Sequence, residues 1–449
     1  MIAAANGRWV VRGRAAFRGR AASLLAPALF GAGTLALPFF RSRPNRTATG
    51  AGVALAGILP AAAWAAAAIA AAALFAALLA ALLETKGSRG PAGRSWASVL
   101  HRAAAMVAGP FLMVSLAAGS DVLAKASPPA SRVSFGLGFW IACFGAWLLY
   151  VSVRNIPRPL ASVRPALAKA APWATLIAFL FLALTGSFGS LAIAREFASR
   201  RSVFLEAIGR HLAYGILPAA LAAFAAFPLG RAACRSQRIE RPLFFLASAA
   251  QTIPTLSLLG LLILPLSALG DAVPALRAMG VRGVGWAPAS IALFLYALLP
   301  LAANARAGFG LVPAAVKDAG RGLGMSDRQL FYRVELPLAA PHLAAGMRTA
   351  IAQNLGNAVL AGLIGGGGLG SLVFLGLAQA APDLILLGSL PVVAGAFAAD
   401  RLLGAAETAL SRRAGLAGAS SGEAAAEVAA TAAATAAATA DAERGGTAA

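Results

Sequence analysis

Long apolar runs separated by short polar segments make up most of the chain. Each run is close to the roughly 20 residues that a helix needs to cross the hydrocarbon core of a bilayer. The candidate spans are 21–40, 53–83, 97–118, 134–153, 172–194, 211–230, 243–269, 286–308, 343–364 and 383–404. The pattern therefore predicts an all-α polytopic membrane protein with about ten transmembrane helices.

The composition supports this class and limits the kinds of partner that the chain can have. The chain is 59% hydrophobic and only 12% charged, whereas soluble domains have about 25% charged residues. The net charge of +22 raises the question of nucleic acid. The basic residues, however, lie in short clusters between apolar runs rather than on one long face. The positive-inside rule accounts for such clusters, so we expect the lipid bilayer, and no nucleic acid, as a partner.

The charge clusters also predict the orientation of the chain. Ten spans place both termini on one side, and the basic clusters at 152–171, 231–242 and 309–342 then face the cytoplasm. The loop at 365–382 has no Lys or Arg and faces outside. We expect the first span to be retained, because its apolar run ends in Pro-Phe-Phe rather than in a small-residue cleavage site.

The predicted organisation has five parts. They are a basic cytoplasmic N-terminus at 1–20, an N-terminal region of about five transmembrane helices at 21–194, an extracytoplasmic connector at 195–210, a membrane domain at 211–410 and an Ala-rich low-complexity tail at 411–449. The connector carries Phe197, Val203, Phe204 and Ile208 at roughly helical spacing. It is either an amphipathic helix on the outer surface or a plain connector.

The stretch 311–341 is the longest polar interruption between apolar runs. It is predicted to form two short helices joined by a glycine corner at Gly324, where a positive φ costs little. Ser326 and Gln329 have the spacing of a capping box at the start of the second helix. Pro337 is predicted to end that helix. Such a compact pair has an apolar face that needs a partner, and that partner need not be lipid.

The spacing within this stretch resembles the cytoplasmic loop of ABC importer permeases. That pattern reads Glu-Ala-Ala, three residues, Gly, nine residues and Ile-x-Leu-Pro. Here Asp318-Ala319-Gly320 is followed by Gly324 and then by Val334-Glu335-Leu336-Pro337, with every spacing kept. The departures are Asp for Glu, which shortens the reach of the carboxylate, Gly for the second Ala, and Val for Ile.

Three further segments resemble the glycine betaine, choline and osmoprotectant branch of these permeases. They are FFLASAAQTIPTLSLLGLL at 244–262, FLYALLPLAANARAGF at 294–309 and LIGGGGLGSLVFLG at 363–376. The resemblance covers about 211–410, and its order of motifs matches the branch. The N-terminal region resembles only the subset of that branch that carries additional N-terminal helices, and its motifs are less specific.

The resemblance implies a C-terminal five-helix permease core (MetI-like) with cytoplasmic coupling helices, in the inner membrane of a bacterial cell. It implies ATP-driven import of a small osmoprotectant such as glycine betaine or choline by alternating access. The implied partners are a cytoplasmic ABC ATPase subunit, an extracytoplasmic substrate-binding protein, and a second copy or a homologous permease. The implied coupling residues are Asp318, Ala319, Gly320, Gly324, Val334, Leu336 and Pro337.

The motifs of nucleotide-binding and hydrolytic enzymes are missing from the sequence. Without a G-x-x-x-x-G-K-[ST] loop the chain is not expected to cradle ATP, so ATP and Mg²⁺ are expected on a partner subunit and no cofactor on this chain. We expect no catalytic and no metal site, because His101, His211 and His342 are scattered. The glycine run at 365–370 follows a membrane helix and suits a tight re-entrant turn or a close helix approach.

Two prolines predict local disruption of core helices. Pro254 and Pro300 cannot donate to the helix ladder, so both helices are expected to kink or unwind. Gln251, Thr252 and Asn304 are polar groups near the freed backbone. Two interpretations stay open for these five residues: they line a translocation pathway, or the polar side chains satisfy neighbouring helices.

A competing class is an ion-coupled secondary transporter with broken helices at Pro254 and Gly365. It requires an intramembrane ion-coupling residue and repeat symmetry, and the sequence shows neither. Asp121, Asp271 and Asp383 lie at span ends, where acids are ordinarily solvated.

Overall fold

The computed structural model describes residues 24–45, 48–85, 91–153 and 165–414. The chain divides into two compact units. The N-terminal unit is Met1–Arg201 with Gly376–Leu384, and the C-terminal unit is Ser202–Leu375 with Ile385–Ala449. The predicted basic segment 1–20 and residues 415–449 of the predicted tail lie outside the described residues.

The first half of the chain alternates helices with three short strands. The elements are α1 (Leu24–Ala36), β1 (Pro38–Arg43), β2 (Ala51–Ala54), α2 (Leu55–Ile58), α3 (Pro60–Thr85), α4 (Pro91–Ala126), β3 (Arg132–Phe135), α5 (Leu137–Val153), α6 (Pro165–Leu184) and α7 (Ala192–Ser199). Within the described residues the strands form one antiparallel sheet in the order β2-β1-β3.

The first predicted span is shorter than expected. Its helix ends at Ala36, and β1 begins at Pro38. Leu37 is already extended, because a residue that precedes proline is pushed out of the helical region. Phe39 and Phe40 then lie fully buried in the core of the N-terminal unit. The apolar residues that extended the predicted span to 40 therefore stabilise a sheet.

The predicted span 53–83 is interrupted at Pro60, where α3 begins after β2 and α2. The connector at 195–210 is helical in two pieces that meet at Arg200. Its second piece is the start of α8, because no residue after Arg201 stops the helix before Ala233. In the first piece, Glu196 is buried and forms ion pairs with Arg132 at 2.5 Å and Arg200 at 3.4 Å.

The expectation that Asp383 is solvated is wrong. Its side chain is buried in the N-terminal unit, where Ser134 Oγ donates a hydrogen bond to Asp383 Oδ2 at 3.0 Å. Asp121 is half-exposed and pairs with Lys125 one helical turn later, at 2.7 Å. The burial of Asp383 depends on chain segments that are far apart in sequence, which span-end position alone does not reveal.

The elements from Arg201 onward are almost all helical. They are α8 (Arg201–Ala233), α9 (Gln237–Thr252), α10 (Thr255–Ala272), α11 (Pro274–Ala278), α12 (Trp286–Gly310), α13 (Ala314–Gly322), α14 (Asp327–Leu330), a π-helical segment (Phe331–Glu335), α15 (Leu336–Asn357), a 3₁₀ segment (Ala358–Gly362), α16 (Leu369–Ala378) and α17 (Pro382–Arg413).

The core of the C-terminal unit is built from small apolar side chains. Buried alanines and leucines of α8, α12 and α15 form one cluster, and α9 adds Ala247. Small residues let the helix axes approach closely, which is how helices associate where lipid offers no hydrophobic driving force. This packing brings α12 and α15 together over much of their length, with Gly346 against Asn304.

The predicted all-α polytopic class is confirmed, with the small sheet as an unpredicted addition. In the described part of the chain, five helices are long and apolar enough to cross a membrane. They are Leu100–Ala126, Arg201–Ala233, Thr255–Ala272, Trp286–Gly310 and Pro382–Arg413. Five more apolar helices are shorter: Leu24–Ala36, Pro60–Ala76, Leu137–Ser152, Ala170–Leu184 and Leu369–Ala378. The last of these lies inside the predicted loop 365–382.

Candidate functional site

The 311–341 loop folds as the predicted pair of helices around a glycine corner. α13 ends at Gly322, and Gly324 has a φ of +77°. A Cβ at Gly324 would meet nothing within 4 Å. Glycine is therefore required at this position by the backbone conformation rather than by a neighbouring atom.

The predicted capping box is confirmed at the start of the second helix. Gln329 N–H donates to Ser326 Oγ at 3.3 Å, and Ser326 N–H donates to Gln329 Oε1 at 2.9 Å. The two bonds satisfy amide groups that the first helical turn leaves without partners. Asp327 lies in this first turn, where the helix dipole favours a negative charge.

The two short helices pack against each other through Gly320 and Leu330. Both residues are buried, and a Cβ at Gly320 would lie 2.8 Å from Leu330 Cδ1. The Leu330 side chain occupies the space that a Cβ at position 320 would need. This explains why glycine is present where the family pattern has alanine. This contact fixes the angle between the helices.

Pro337 does not end the second helix, so that prediction is wrong. The backbone continues from α14 through the π-helical segment into α15, and we call these residues 327–357 the rod. Leu336 N–H donates to Phe331 O, five residues back. A proline ring clashes with the carbonyl four residues earlier in a regular α-helix. The wider π turn relieves that clash, and the helix passes through.

Glu335, in the π segment, is almost completely buried, with 2% of its surface exposed. Two arginines bind its carboxylate, one in the last turn of α8 and one in the turn that follows α8. Arg231 Nε donates to Oε2 at 2.8 Å, and Arg235 Nη2 donates to Oε1 at 3.0 Å. Both carboxylate oxygens are thus bound by guanidinium groups, the arrangement that a buried charge requires.

Aromatic rings complete this junction. The Arg231 guanidinium lies over the Phe331 ring, 4.6 Å from its centroid. Phe331 in turn stacks on Phe309 of α12 at 6.1 Å. The π segment is therefore held against α8 by charge and against α12 by apolar contact. We call Glu335, Arg231, Arg235 and Phe331 the junction cluster.

The predicted coupling residues fall into two groups in the structure. Asp318 and Ala319 are exposed on α13, and Asp318 is within 3.4 Å of Arg321 on its own helix. Val334 and Leu336 are half-buried beside Glu335, and Pro337 is exposed. The first group is available to a partner, whereas the second lies where the loop joins the core.

The two proline positions differ. α9 ends at Thr252, and Pro254 precedes α10, so the predicted break there is confirmed. α12 continues through Pro300 without interruption, so no unwinding occurs there. The reason is a replacement donor. Pro300 leaves the carbonyl of Tyr296 without its helical partner, and Gln251 Nε2 donates to that carbonyl at 2.8 Å.

A second hydrogen bond runs the other way between the same two helices. Tyr296 Oη donates to the carbonyl of Ile253, beside the Pro254 break, at 2.7 Å. Thr252 Oγ1 donates to Ala249 O, and Asn304 Nδ2 donates to Pro300 O, each within its own helix. Gln251 therefore satisfies a neighbouring helix, as the structural interpretation has it, whereas Asn304 bonds within α12 and Thr252 is exposed.

The glycine run forms a tight turn that also packs on α8, so it combines the two alternatives that the sequence offered. Gly365, Gly367 and Gly368 have positive φ. Tyr214 Oη donates to Gly366 O at 2.6 Å. Across the turn, a Cβ at Gly370 would lie 1.8 Å from the Val359 carbonyl oxygen, so only glycine allows this backbone contact.

Sequence reasoning missed the junction cluster and Tyr296. Glu335 occupies the unspecified position of the Ile-x-Leu-Pro pattern, and its arginines lie about one hundred residues earlier in the chain. The available signal was an acid in the VELPL segment at 334–338 and a basic cluster at 231–242, both predicted to lie on the cytoplasmic side. Tyr296 showed no signal beyond its place in the Tyr-x-x-Leu-Pro segment.

Two family models match the chain. The binding-protein-dependent transport system inner membrane component matches residues 219–412. The ABC transporter permease YehY, N-terminal domain, matches residues 19–194. The first spans the 311–341 loop, the rod and the glycine turn, so it covers the elements described above.

Curated relatives agree with these matches. The choline transport system permease protein OpuBB of Bacillus subtilis (strain 168) is 35% identical, over 45% of this chain and 85% of the relative. The osmoprotectant import permease protein OsmW of Salmonella typhimurium is 34% identical, over 43% of this chain and 85% of the relative. A structure of the MetNI methionine ABC transporter aligns at 19% identity with a TM-score of 0.38, over 46% of this chain and 97% of the aligned chain, too distant to bear on function.

A polytopic helical membrane protein with this loop and core is a transport permease. The chain belongs to the family of permease subunits of binding-protein-dependent ABC importers, in the osmoprotectant branch. It is therefore a multi-pass protein of the inner membrane and a transporter subunit rather than an enzyme.

Proposed function

We propose that this chain forms the translocation pathway for glycine betaine, choline or a similar small osmoprotectant. Its relatives, which are permeases for choline, osmoprotectants and glycine betaine, support this substrate class. A substrate-binding protein delivers the solute from outside the inner membrane, and a second copy or a homologous permease completes the pathway. Both termini and the 311–341 loop face the cytoplasm, as the positive-inside rule favours.

ATP and Mg²⁺ bind to a separate cytoplasmic ATPase subunit in this proposal. The α13 and α14 helices dock on that subunit, and Asp318, Ala319, Gly320 and Gly324 shape the docking pair. Val334, Leu336 and Pro337 lie where the pair joins the rod, so they transmit its movement to the core. Alternating access follows from rocking of the core helices when two ATPases close.

The observation that carries this proposal is the folded form of the 311–341 loop. The family spacing coincides with an exposed, capped helix pair whose corner needs a positive φ at Gly324. An exposed pair that is fixed in shape before it meets a partner loses little conformational entropy on docking.

Replacing Gly324 tests the docking role directly. Gly324→Val places a β-branched side chain at a positive φ, a strained conformation that costs about 1–3 kcal/mol. We expect the variant to insert in the membrane and to lose uptake of labelled choline and glycine betaine. Gly322→Ala is the matched control, because Gly322 ends α13 without positive φ and with no atom within 4 Å of its Cβ position.

Purification in mild detergent from the native cell gives the second readout. The wild-type chain should retain an ATPase subunit, whereas Gly324→Val should release it. Normal uptake by a well-expressed Gly324→Val protein would contradict the docking role. ATP-independent transport by the purified wild-type chain alone would contradict the proposed function as a whole.

A further inference from the structure

The rod joins the docking pair to the core without a flexible hinge. It begins at the capping box of α14 and ends at Asn357. At 1.5 Å per residue its length is about 45 Å. A displacement of the docking pair therefore moves the whole rod, and the question is which core helices must move with it.

The rod contacts its neighbours in different ways. Against α12 it presents small apolar side chains such as Ala350 and Ile351. Against α17, Arg348 pairs with Asp400 and Glu407, and all three side chains are about one-third exposed. Apolar contacts are not directional, and exposed ion pairs re-form easily in water.

The junction cluster joins the rod to α8 through a buried charge. Glu335 is buried, and its two oxygens are held by Arg231 in the last turn of α8 and by Arg235 in the turn that follows. Moving the rod relative to α8 would strip both partners and leave a carboxylate buried without compensation. A movement of α8 together with the rod keeps both ion pairs and therefore costs less free energy.

We propose that Glu335 is a positioning residue that couples the rod to α8, so that displacement of the docking pair reaches the first core helix through one buried carboxylate. The inference rests on the proposed function and adds the route by which movement enters the core. Phe331 assists, because its ring holds the Arg231 guanidinium in place on the rod side.

The test compares uptake with ATP hydrolysis in the transporter purified with its own ATPase and reconstituted with its binding protein. Glu335→Gln keeps the shape of the side chain and removes its charge. We expect this variant to hydrolyse ATP at a rate near that of the wild type. Uptake per ATP should fall about tenfold, within the range typical of coupling between two sites.

Three further variants identify the partner of Glu335 and exclude a general charge effect. Arg231→Gln should show the same loss, and the double variant Glu335→Gln/Arg231→Gln should be no worse than either single variant, because one interaction is removed once. Glu206→Gln is the matched control: its carboxylate also pairs with an arginine, Arg210, but is exposed on α8. The Glu206→Gln variant should keep the wild-type ratio of uptake to ATP hydrolysis.

The outcomes separate this inference from the proposed function. A wild-type complex without ATP-dependent uptake of choline or glycine betaine would overturn both. Wild-type uptake with an unchanged ratio in Glu335→Gln would overturn only the inference. An equal fall in uptake and hydrolysis, or loss of the ATPase from the purified variant, would also overturn it, because Glu335 would then serve folding or docking.

Discussion

The two ends of the C-terminal unit are held together by different kinds of contact. At the end that carries the 311–341 loop, charged side chains join separate helices: Glu335 with Arg231 and Arg235, Glu240 with Arg306, and Arg348 with Asp400 and Glu407. At the glycine turn the close contacts are made by backbone atoms, and Tyr214 donates a hydrogen bond to the Gly366 carbonyl oxygen.

The two kinds of contact allow one end of this small core to move while the other end stays fixed. The exposed ion pairs of Arg348 with Asp400 and Glu407 can break and re-form in water while their helices shift. Backbone groups that touch through glycine have no such freedom. We therefore expect movement to enter the unit at the charged end, with the glycine turn as the fixed point. The following variants test that contrast, in order of decreasing effect.

We expect a substitution in the glycine turn to cause the largest loss of stability. Gly370→Ala places a Cβ 1.8 Å from the Val359 carbonyl oxygen, and neither backbone can move away. We expect a loss of about 3 kcal/mol or more in the free energy of unfolding, measured by SDS titration in mixed micelles. Gly356→Ala, on the rod with open space at its Cβ position, should gain roughly 0.5–1 kcal/mol. Equal stability of the two variants would contradict the contrast.

Removing one arginine at the charged end should cost less. Arg231→Gln leaves buried Glu335 with Arg235 as its remaining guanidinium partner in the junction cluster. We expect a loss of about 2 kcal/mol in the same titration. Arg277→Gln breaks the exposed pair with Asp271 and should change nothing measurable. A loss at position 231 as large as that of Gly370→Ala would remove the distinction between the ends.

The smallest effect is expected from removing the hydrogen bond between Tyr214 and the glycine turn. Tyr214→Phe deletes the hydroxyl that donates to the Gly366 carbonyl and keeps the ring. One such hydrogen bond contributes about 1 kcal/mol. Tyr332→Phe is the control for stability, since the Tyr332 side chain is mostly exposed. An undiminished unfolding free energy for Tyr214→Phe would mean that the glycine backbone alone holds the turn.

Much of the 311–341 loop was predictable because its interactions are local. The capping box joins residues three positions apart, and the Gly324 corner depends on its own φ. The break at Pro254 follows from a missing N–H. The same local logic failed at Pro337 and Pro300, where a π turn in one case and Gln251 in the other supply what proline removes.

The membrane class, the approximate positions of the apolar helices, the capped helix pair and the family can be predicted from the sequence, because periodicity, caps and motif spacing act over a few residues. The burial of Phe39 and Phe40 beside a sheet, the burial of Asp383 and the contact of Glu335 with Arg231 and Arg235 cannot be predicted in this way. Those outcomes depend on which distant segments pack together. Burial then sets the energetic weight of a charge, and no local pattern records it.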